Sequence, residues 1–212
     1  AYDNSTNYRF TPQVAGKYLI YAKLYMDSSD HSATSKVVSN IYKNGSNYRY
    51  HNLKKTELEG IDTIKDFKNE STRELTSDDY IYQIKRLADY KNHSPIAGVM
   101  QEYIFGFSEY NKKISNAKYK SNSERIELIK SNQIKGVEKI DTFTFSIILK
   151  KQYPQFVYWL AMPFFSPMPW EADMFYSQPG LQEKNITLNW FPVGTGPFKL
   201  TENNPNLRMV LE

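Results

Sequence analysis

Two pairs of neighbouring carboxylates are the first residues whose type and spacing could do chemistry. Asp78 stands beside Asp79, and Glu171 lies two residues before Asp173. Two carboxylates are the acid and base that glycoside hydrolysis requires. Each pair, however, stands at the expected start of a helix, where free amide groups and the helix dipole favour negative charge. Helix capping is therefore the preferred interpretation of both pairs.

Nucleophiles and metal ligands are few. Ser94 beside His93 is an adjacent nucleophile and base that a peptidase or amidase could use, but side chains adjacent in a chain rarely meet productively. The three histidines match no metal-binding spacing. The absence of cysteine excludes a thiolate zinc site, a cysteine nucleophile and a disulfide framework. We therefore expect no catalytic residue, no metal site, no cofactor and no enzyme activity.

The only glycine-dense site is Gly194-Thr195-Gly196-Pro197. It lacks the third glycine of a dinucleotide-binding loop and the Gly-Lys-Ser/Thr ending of a phosphate-binding loop. Pro197 also removes an amide that an anion site would use. The pattern predicts a sharp turn that leads into a strand.

Composition limits the remaining function classes. The 212 residues have a mass of 24.8 kDa and are 40% hydrophobic and 24% charged, which is typical of a globular chain. The mean hydropathy of −0.63 and the lack of a long apolar run exclude a membrane-spanning helix. The net charge of +4 is modest, and pairs such as Lys112-Lys113 and Lys150-Lys151 are too short for a nucleic-acid-binding stripe.

Aromatic residues are concentrated in a proline-rich stretch late in the chain. Such rings, when they carry polar tips, can line a cleft and hydrogen-bond a ligand while excluding water, although each ring could equally be part of the core. They are Tyr158, Trp159, Phe164, Phe165, Trp170, Phe175, Tyr176, Trp190 and Phe191.

The sequence pattern of the first 45 residues is typical of a β-rich segment. Alternation predicts strands at 18–25 and 37–42, and Asn44-Gly45 is a strong hairpin-turn signal. Residues 7–19, with their Phe-Thr-Pro and Ala-Gly-Lys-Tyr motifs, resemble the opening strands of C1q/TNF-like jelly rolls. A jelly roll needs about eight strands, so this piece is either a fragment of one or a β-hairpin appendage.

From residue 46 onward the pattern is α/β. Thr76 followed by Asp79 has the spacing of a capping box, and Ser94-Pro95 predicts another helix start with serine as cap. Further predicted elements are a polar helix at 123–131, a hairpin at 136–147, an apolar helix at 155–162 and a final strand at 208–212. The hairpin is expected to turn at Asp141 and to place Phe143, Phe145 and Ile147 on one face.

The residues from about 46 to 212 resemble the family 5 extracellular solute-binding proteins, the peptide-binding receptors of ABC importers. The motifs that carry the resemblance are residues 48–53, 72–88, 94–98, 136–149, 153–165, 169–173 and 192–198. The resemblance implies a first domain boundary near residue 45, with residues 46–212 forming part of the first lobe of a two-lobe periplasmic-binding-protein type II fold, preceded by a short antiparallel β segment. Peptide would be held as an added extended strand when the lobes close.

The same resemblance implies a ligand site and partners. The cleft side of the lobe would include the helix at 94–103 and the turn at 194–196, so we expect Tyr103, Gly194, Thr195 and Gly196 to lie near the ligand. Tyr103 would present a hydroxyl, and the glycines would let the backbone approach the ligand. The partners would be an oligopeptide and the permease subunits of the importer. The protein would be a monomer, located in the periplasm or at the cell surface.

Two alternatives stay open at this stage. The β-rich opening predicts a structural or adhesion module if its strands assemble as a C1q-like trimer. Family members also carry nickel chelates, sugars and antibiotics, so the ligand need not be a peptide. The chain opens without Met or a signal sequence and closes within a predicted strand, and we therefore expect a fragment that by itself binds peptide weakly or not at all.

Overall fold

The computed structural model describes residues 2–3, 9–10, 19–25, 35–42, 49–51, 72–184, 186–195, 198, 200–204 and 206–211, with side chains from residue 74 onward. This part of the chain contains both helices and strands, so the predicted mixed α/β class is confirmed. It divides into two compact units. The first contains Ala1–Ser46, Thr76–Ala117 and Ile129–Pro167, and the second contains Asn47–Leu75, Lys118–Leu128 and Met168–Glu212.

The strands form short antiparallel arrangements and one larger sheet. They are β1 Tyr2–Asp3, β2 Arg9–Phe10, β3 Leu19–Tyr25, β4 Ser35–Tyr42, β5 Arg49–His51, β6 Thr72–Glu74, β7 Val137–Asp141, β8 Thr144–Leu149, β9 Leu200–Asn204 and β10 Arg208–Leu211. The larger sheet, in the first unit, has the order β3-β4-β8-β7. β1 pairs with β2, β5 with β6, and β9 with β10.

The four-stranded sheet joins the opening strands to the later hairpin. β4 runs antiparallel to β8, with Val37 opposite Ile147 and Ser39 opposite Phe145. The predicted strands at 18–25 and 37–42 are confirmed as β3 and β4, and the predicted hairpin as β7 and β8. The predicted turn at Asn44-Gly45 lies outside the described residues, and the domain boundary near residue 45 stays a prediction.

The helices are short, and single 3-10 turns lie between some of them. They are α1 Ser77–Leu87, α2 Ala97–Tyr103, α3 Phe107–Asn116, α4 Asn122–Ser131, α5 Phe156–Leu160 and α6 Trp170–Tyr176, with 3-10 turns at Tyr90–Asn92 and Pro163–Phe165. Within the described ranges, none of them has the length and apolar character that a bilayer-crossing helix requires.

Helix α1 begins as its sequence predicts. The backbone amide of Thr76 donates to Asp79 Oδ2 at 2.8 Å, which satisfies an amide at the helix start. Ile84, Leu87 and Ala88 are buried on the predicted apolar face. The ring of Tyr80 stacks on that of Phe145 from β8, with 5.5 Å between centroids, so the helix packs on the sheet.

The end of α4 is held by two polar side chains from neighbouring helices. The hydroxyl of Tyr110 donates to the carbonyl oxygen of Ile129, and Lys85 Nζ donates to that of Lys130, each at 2.9 Å. Burial raises the pKa of the Tyr110 phenol and lowers the pKa of the Lys85 ammonium. These bonds satisfy carbonyls that the last helical turn leaves without partners.

The predicted helix from Ser94 begins later than expected. Ala97 donates its amide to the Ser94 carbonyl at 3.3 Å, so residues 94–96 form a turn and α2 begins at Ala97. The Ser94 hydroxyl does not cap the helix; it is buried and has no hydrogen-bond partner in the described part of the chain.

Two other expectations need correction, and one helix was not predicted. The predicted helix at 155–162 is shorter than expected: α5 ends at Leu160, and a separate 3-10 turn follows at Pro163–Phe165. Phe143 lies in the β7–β8 turn, 38% exposed, while Phe145 and Ile147 are buried in the sheet. Helix α3 was not predicted, because its N-cap is Gly106 at φ 76°, which has no capping side chain.

A set of backbone hydrogen bonds fixes the end of α2 against the β7–β8 hairpin. Phe105 donates to the carbonyl of Ile148 at 3.0 Å, Gly136 donates to that of Phe105 at 2.9 Å, and Ile148 donates to that of Gly136 at 2.7 Å. We call these three residues the backbone junction. A Cβ at Gly136 would press on the Phe105 carbonyl oxygen and lie 3.0 Å from that of Ile148, so the junction requires glycine.

We expect Gly136→Ala to lower the free energy of unfolding by about 2 kcal/mol or more, because the added methyl group must push two carbonyls apart. Urea unfolding followed by circular dichroism measures the change. Gly98→Ala is the matched control, since a Cβ there meets no atom within 4 Å and alanine favours the helix by up to about 1 kcal/mol. Equal stability of the two variants would contradict the role of the junction.

Candidate ligand-binding site

The predicted site residues fall in different parts of the structure. Tyr103 is the last residue of α2 and belongs to the first unit. Gly194 and Thr195 belong to the second unit, between α6 and β9. Gly196 lies outside the described residues. A Cβ at Gly194 would meet no atom within 4 Å, so its surroundings in the described structure are open.

Tyr103 stands in a group of aromatic and charged side chains. Its ring stacks on that of Tyr153, with 4.5 Å between centroids and 27° between planes. The ammonium nitrogen of Lys151 lies over the same ring, 4.8 Å from its centroid, in a cation–π contact. The indole of Trp159 in turn bonds to Tyr153. We use the name Tyr103 cluster for Glu102, Tyr103, Lys151, Tyr153 and Trp159.

The ends of two elements bring this cluster together. Lys150 donates its amide to the Tyr103 carbonyl at 2.8 Å, and Ile104 pairs with Leu149 as an isolated β-bridge. The residues that follow β8 therefore run beside the end of α2. This register places Lys151 and Tyr153 next to Tyr103, although they are distant in the sequence.

The charges of the cluster are balanced at the surface. Lys151 Nζ lies 2.6 Å from Glu102 Oε1, with the two side chains 51% and 60% exposed. The hydrogen bond to Glu102 is the main cause that raises the pKa of Lys151, so the ammonium stays charged. The neighbouring Lys150 is engaged elsewhere, since its Nζ donates to the Gln101 carbonyl at 2.7 Å.

The aromatic residues of the cluster present polar tips. Trp159 Nε1 donates to the hydroxyl of Tyr153 at 3.3 Å. The side chains of Tyr103, Tyr153 and Trp159 are all partly exposed. No local sequence pattern marks Lys151 or Tyr153 as a site residue; the only signal for Tyr153 is its place at the start of a family motif.

The turn before Gly194 is held within the second unit. The hydroxyl of Tyr176 donates to the Phe191 carbonyl, and Asn203 Nδ2 donates to the Trp190 carbonyl at 2.8 Å. Burial raises the pKa of Tyr176, so its hydroxyl keeps the proton that it donates. These bonds connect α6 and β9 to the segment that leads to Gly194 and Thr195.

The carboxylates considered for catalysis stand at helix starts. Asp79 caps α1, and Asp78 forms an ion pair with Lys139 at 2.6 Å. Glu171 and Asp173 lie in the first turn of α6, as expected for helix-start carboxylates. No group of three potential metal ligands occurs among the described residues.

The comparison with protein families decides the assignment. The family described as bacterial extracellular solute-binding proteins, family 5, middle, matches residues 65–212. This chain belongs to that family. The family 5 resemblance is therefore confirmed. Family 5 solute-binding proteins are binding components rather than enzymes, which confirms the expectation that the chain is not an enzyme.

Solved structures give more distant matches to this family 5 chain. The substrate-binding domain of an oligopeptide ABC transporter from Bacillus anthracis str. Ames has a TM-score of 0.47 and 17% identity, and the match covers 84% of this chain and 26% of that one. Listeria monocytogenes OppA bound to peptide has a TM-score of 0.48 and 14% identity, with 91% and 28% covered. The chain thus spans about a quarter of the length of each protein. No curated protein matches it.

The C1q-like resemblance of the opening residues stays a prediction. Of residues 7–19, on which it rests, the structure describes 9–10 and 19. The family match begins at residue 65 and so leaves these residues outside it.

We expect Asn203→Ala to loosen the turn before Gly194. Loss of one side-chain hydrogen bond costs about 1 kcal/mol, or about fivefold in an opening equilibrium. The amides of Trp190 and Phe191, which both bond to the Thr187 carbonyl, would then exchange with deuterium about fivefold faster. Asn206→Ala, in the β9–β10 turn, is the control, and equal exchange in both variants would show that the Asn203 bond does not hold this turn.

Proposed function

We propose that this chain is part of the substrate-binding component of an ABC importer, which captures oligopeptides and delivers them to permease subunits in the membrane. The observation that carries the proposal is the family 5 match over residues 65–212, which supplies the binding role. The family is described as bacterial and extracellular, in accord with a periplasmic or cell-surface location.

The Tyr103 cluster supports an oligopeptide as the ligand class. A peptide presents backbone carbonyls and amides, charged termini and varied side chains. The partly exposed side chains of Tyr103 and Tyr153 end in hydroxyls, and the half-exposed ammonium of Lys151, which is paired with Glu102, adds further hydrogen-bond donors. Such a surface can contact a peptide without requiring one particular side chain.

A separate proposed contact with ligand, within the second unit, is the segment at Gly194 and Thr195, with Gly196 as its continuation in the sequence. The open surroundings of Gly194 leave room for a ligand backbone.

We expect the chain by itself to bind peptide more weakly than micromolar. It spans about a quarter of the length of two solved proteins that it matches, so a ligand would be covered on fewer sides and would keep much of its water. Isothermal titration calorimetry with mixed tri- to pentapeptides measures the affinity. A dissociation constant in the micromolar range or tighter would contradict the expectation.

Weak binding and no binding are separated by saturation-transfer NMR at millimolar peptide. Transfer from protein to peptide, reduced by Tyr103→Ala and unchanged by Tyr158→Ala, is the expected result. Tyr158 is the matched control because it is 72% exposed and lies on α5. A complete absence of transfer would contradict the peptide-binding function itself.

We expect the protein to elute from a size-exclusion column as a monomer of 24.8 kDa. Receptors of this kind bind ligand within one chain, and β3 and β4 of this chain pair within its own sheet. Light scattering on the eluted peak gives the mass. A trimer would instead favour the structural or adhesion module with C1q-like assembly.

A further inference from the structure

We propose that the Tyr103 cluster is a subsite for a carboxylate of the ligand, with Lys151 supplying the charge and Tyr153 a hydrogen bond. The inference deepens the proposed function and rests on it. It rests also on three properties of the cluster: the spare donors of Lys151, the spare proton of Tyr153 and the fixed stacking of the rings.

Lys151 has donors to spare. An ammonium group has three N–H donors, and among the described residues Lys151 Nζ donates one hydrogen bond, to Glu102 Oε1 at 2.6 Å. The side chain is half exposed, so a ligand can reach the remaining donors without displacing Glu102. The contact with the Tyr103 ring, 4.8 Å away, holds the ammonium in place before the ligand arrives.

Tyr153 is prepared to donate. Its hydroxyl accepts a hydrogen bond from the Trp159 indole, which leaves its own proton for another acceptor. Accepting one hydrogen bond also strengthens the hydroxyl as a donor. Among the described residues, the Tyr153 hydroxyl has no acceptor of its own and the Tyr103 hydroxyl has no partner.

The stack restricts how a ligand can approach. The rings of Tyr103 and Tyr153 lie 4.5 Å apart, so their facing surfaces are closed to a ligand ring. What the cluster offers a ligand is therefore its donors, two phenols and one ammonium. Glu102, the one carboxylate of the cluster, is already paired with Lys151. Donors grouped around a cation fit an anionic acceptor such as a peptide carboxylate, and they disfavour a cationic ligand group.

Titration of the isotope-labelled full chain with trialanine and with trialanine amide tests the inference by NMR. The reporters are the Trp159 indole N–H, identified with Trp159→Phe, and the backbone amides of Lys151 and Tyr153. We expect the reporters to shift with trialanine at about two- to fivefold lower concentration than with the amide, the range of an exposed ion pair.

Three variants assign the preference to residues. Lys151→Met and Tyr153→Phe should each reduce the preference for the free acid, whereas Glu102→Gln should increase it, because the competing negative charge is removed. Opposite effects of Lys151→Met and Glu102→Gln separate a ligand site from a structural ion pair, whose two members would act alike. Lys150→Met is the matched control, since its ammonium bonds to the Gln101 carbonyl, and it should leave the preference unchanged.

The possible results distinguish failure of the subsite from failure of the proposed function. Peptide shifts elsewhere in the spectrum without a shift of the reporters would overturn the subsite and leave the proposed function intact. Equal response to the acid and the amide would overturn the carboxylate assignment. No shift anywhere at millimolar peptide would contradict the proposed function, and the subsite with it.

Discussion

The backbone junction is the constraint on which the rest of the first unit depends. Phe105, Gly136 and Ile148 exchange three backbone hydrogen bonds within 3.0 Å, an approach that a side chain on Gly136 would prevent. Buried amides and carbonyls must find partners, and here the end of a helix finds them on a hairpin rather than within itself. Because Gly136 has no Cβ, the end of α2 can bond to the β7–β8 hairpin, although the two are far apart in the sequence.

The candidate site is a consequence of that attachment. Once Phe105 is bonded to Ile148, the residues before and after them must also run side by side, and Lys150 bonds to the Tyr103 carbonyl. The Tyr103 ring then has Tyr153 and Lys151 as neighbours without any local sequence signal that links them. The site is thus built on regular elements, which favours a fixed geometry for its donors.

Features set by neighbours in the chain could be predicted. The start of α1 follows from Thr76 and Asp79, three residues apart, and the β7–β8 hairpin follows from its alternating apolar residues. Helix α3 was missed because Gly106, at φ 76°, begins it without a capping side chain. The start of α2 was placed too early because Ser94 has the type of a cap, whereas residues 94–96 form a turn and the helix begins at Ala97. Both errors concern the first residue of a helix, which the sequence marks only where a capping side chain is used.

The sequence by itself determined the family, the mixed α/β class and the absence of cysteine chemistry, because these depend on residue order and composition alone. It also pointed to Tyr103. Only the tertiary structure decided that Lys151 and Tyr153 stand beside it, since the contact between the end of α2 and the residues after β8 brings Lys151 to Glu102, 49 positions earlier in the chain. Likewise, β4 pairs with β8 although the chain between them is long. Backbone hydrogen bonds between distant segments leave no pattern in the sequence except where a close approach requires glycine. Here that residue is Gly136, which lies against the carbonyls of Phe105 and Ile148.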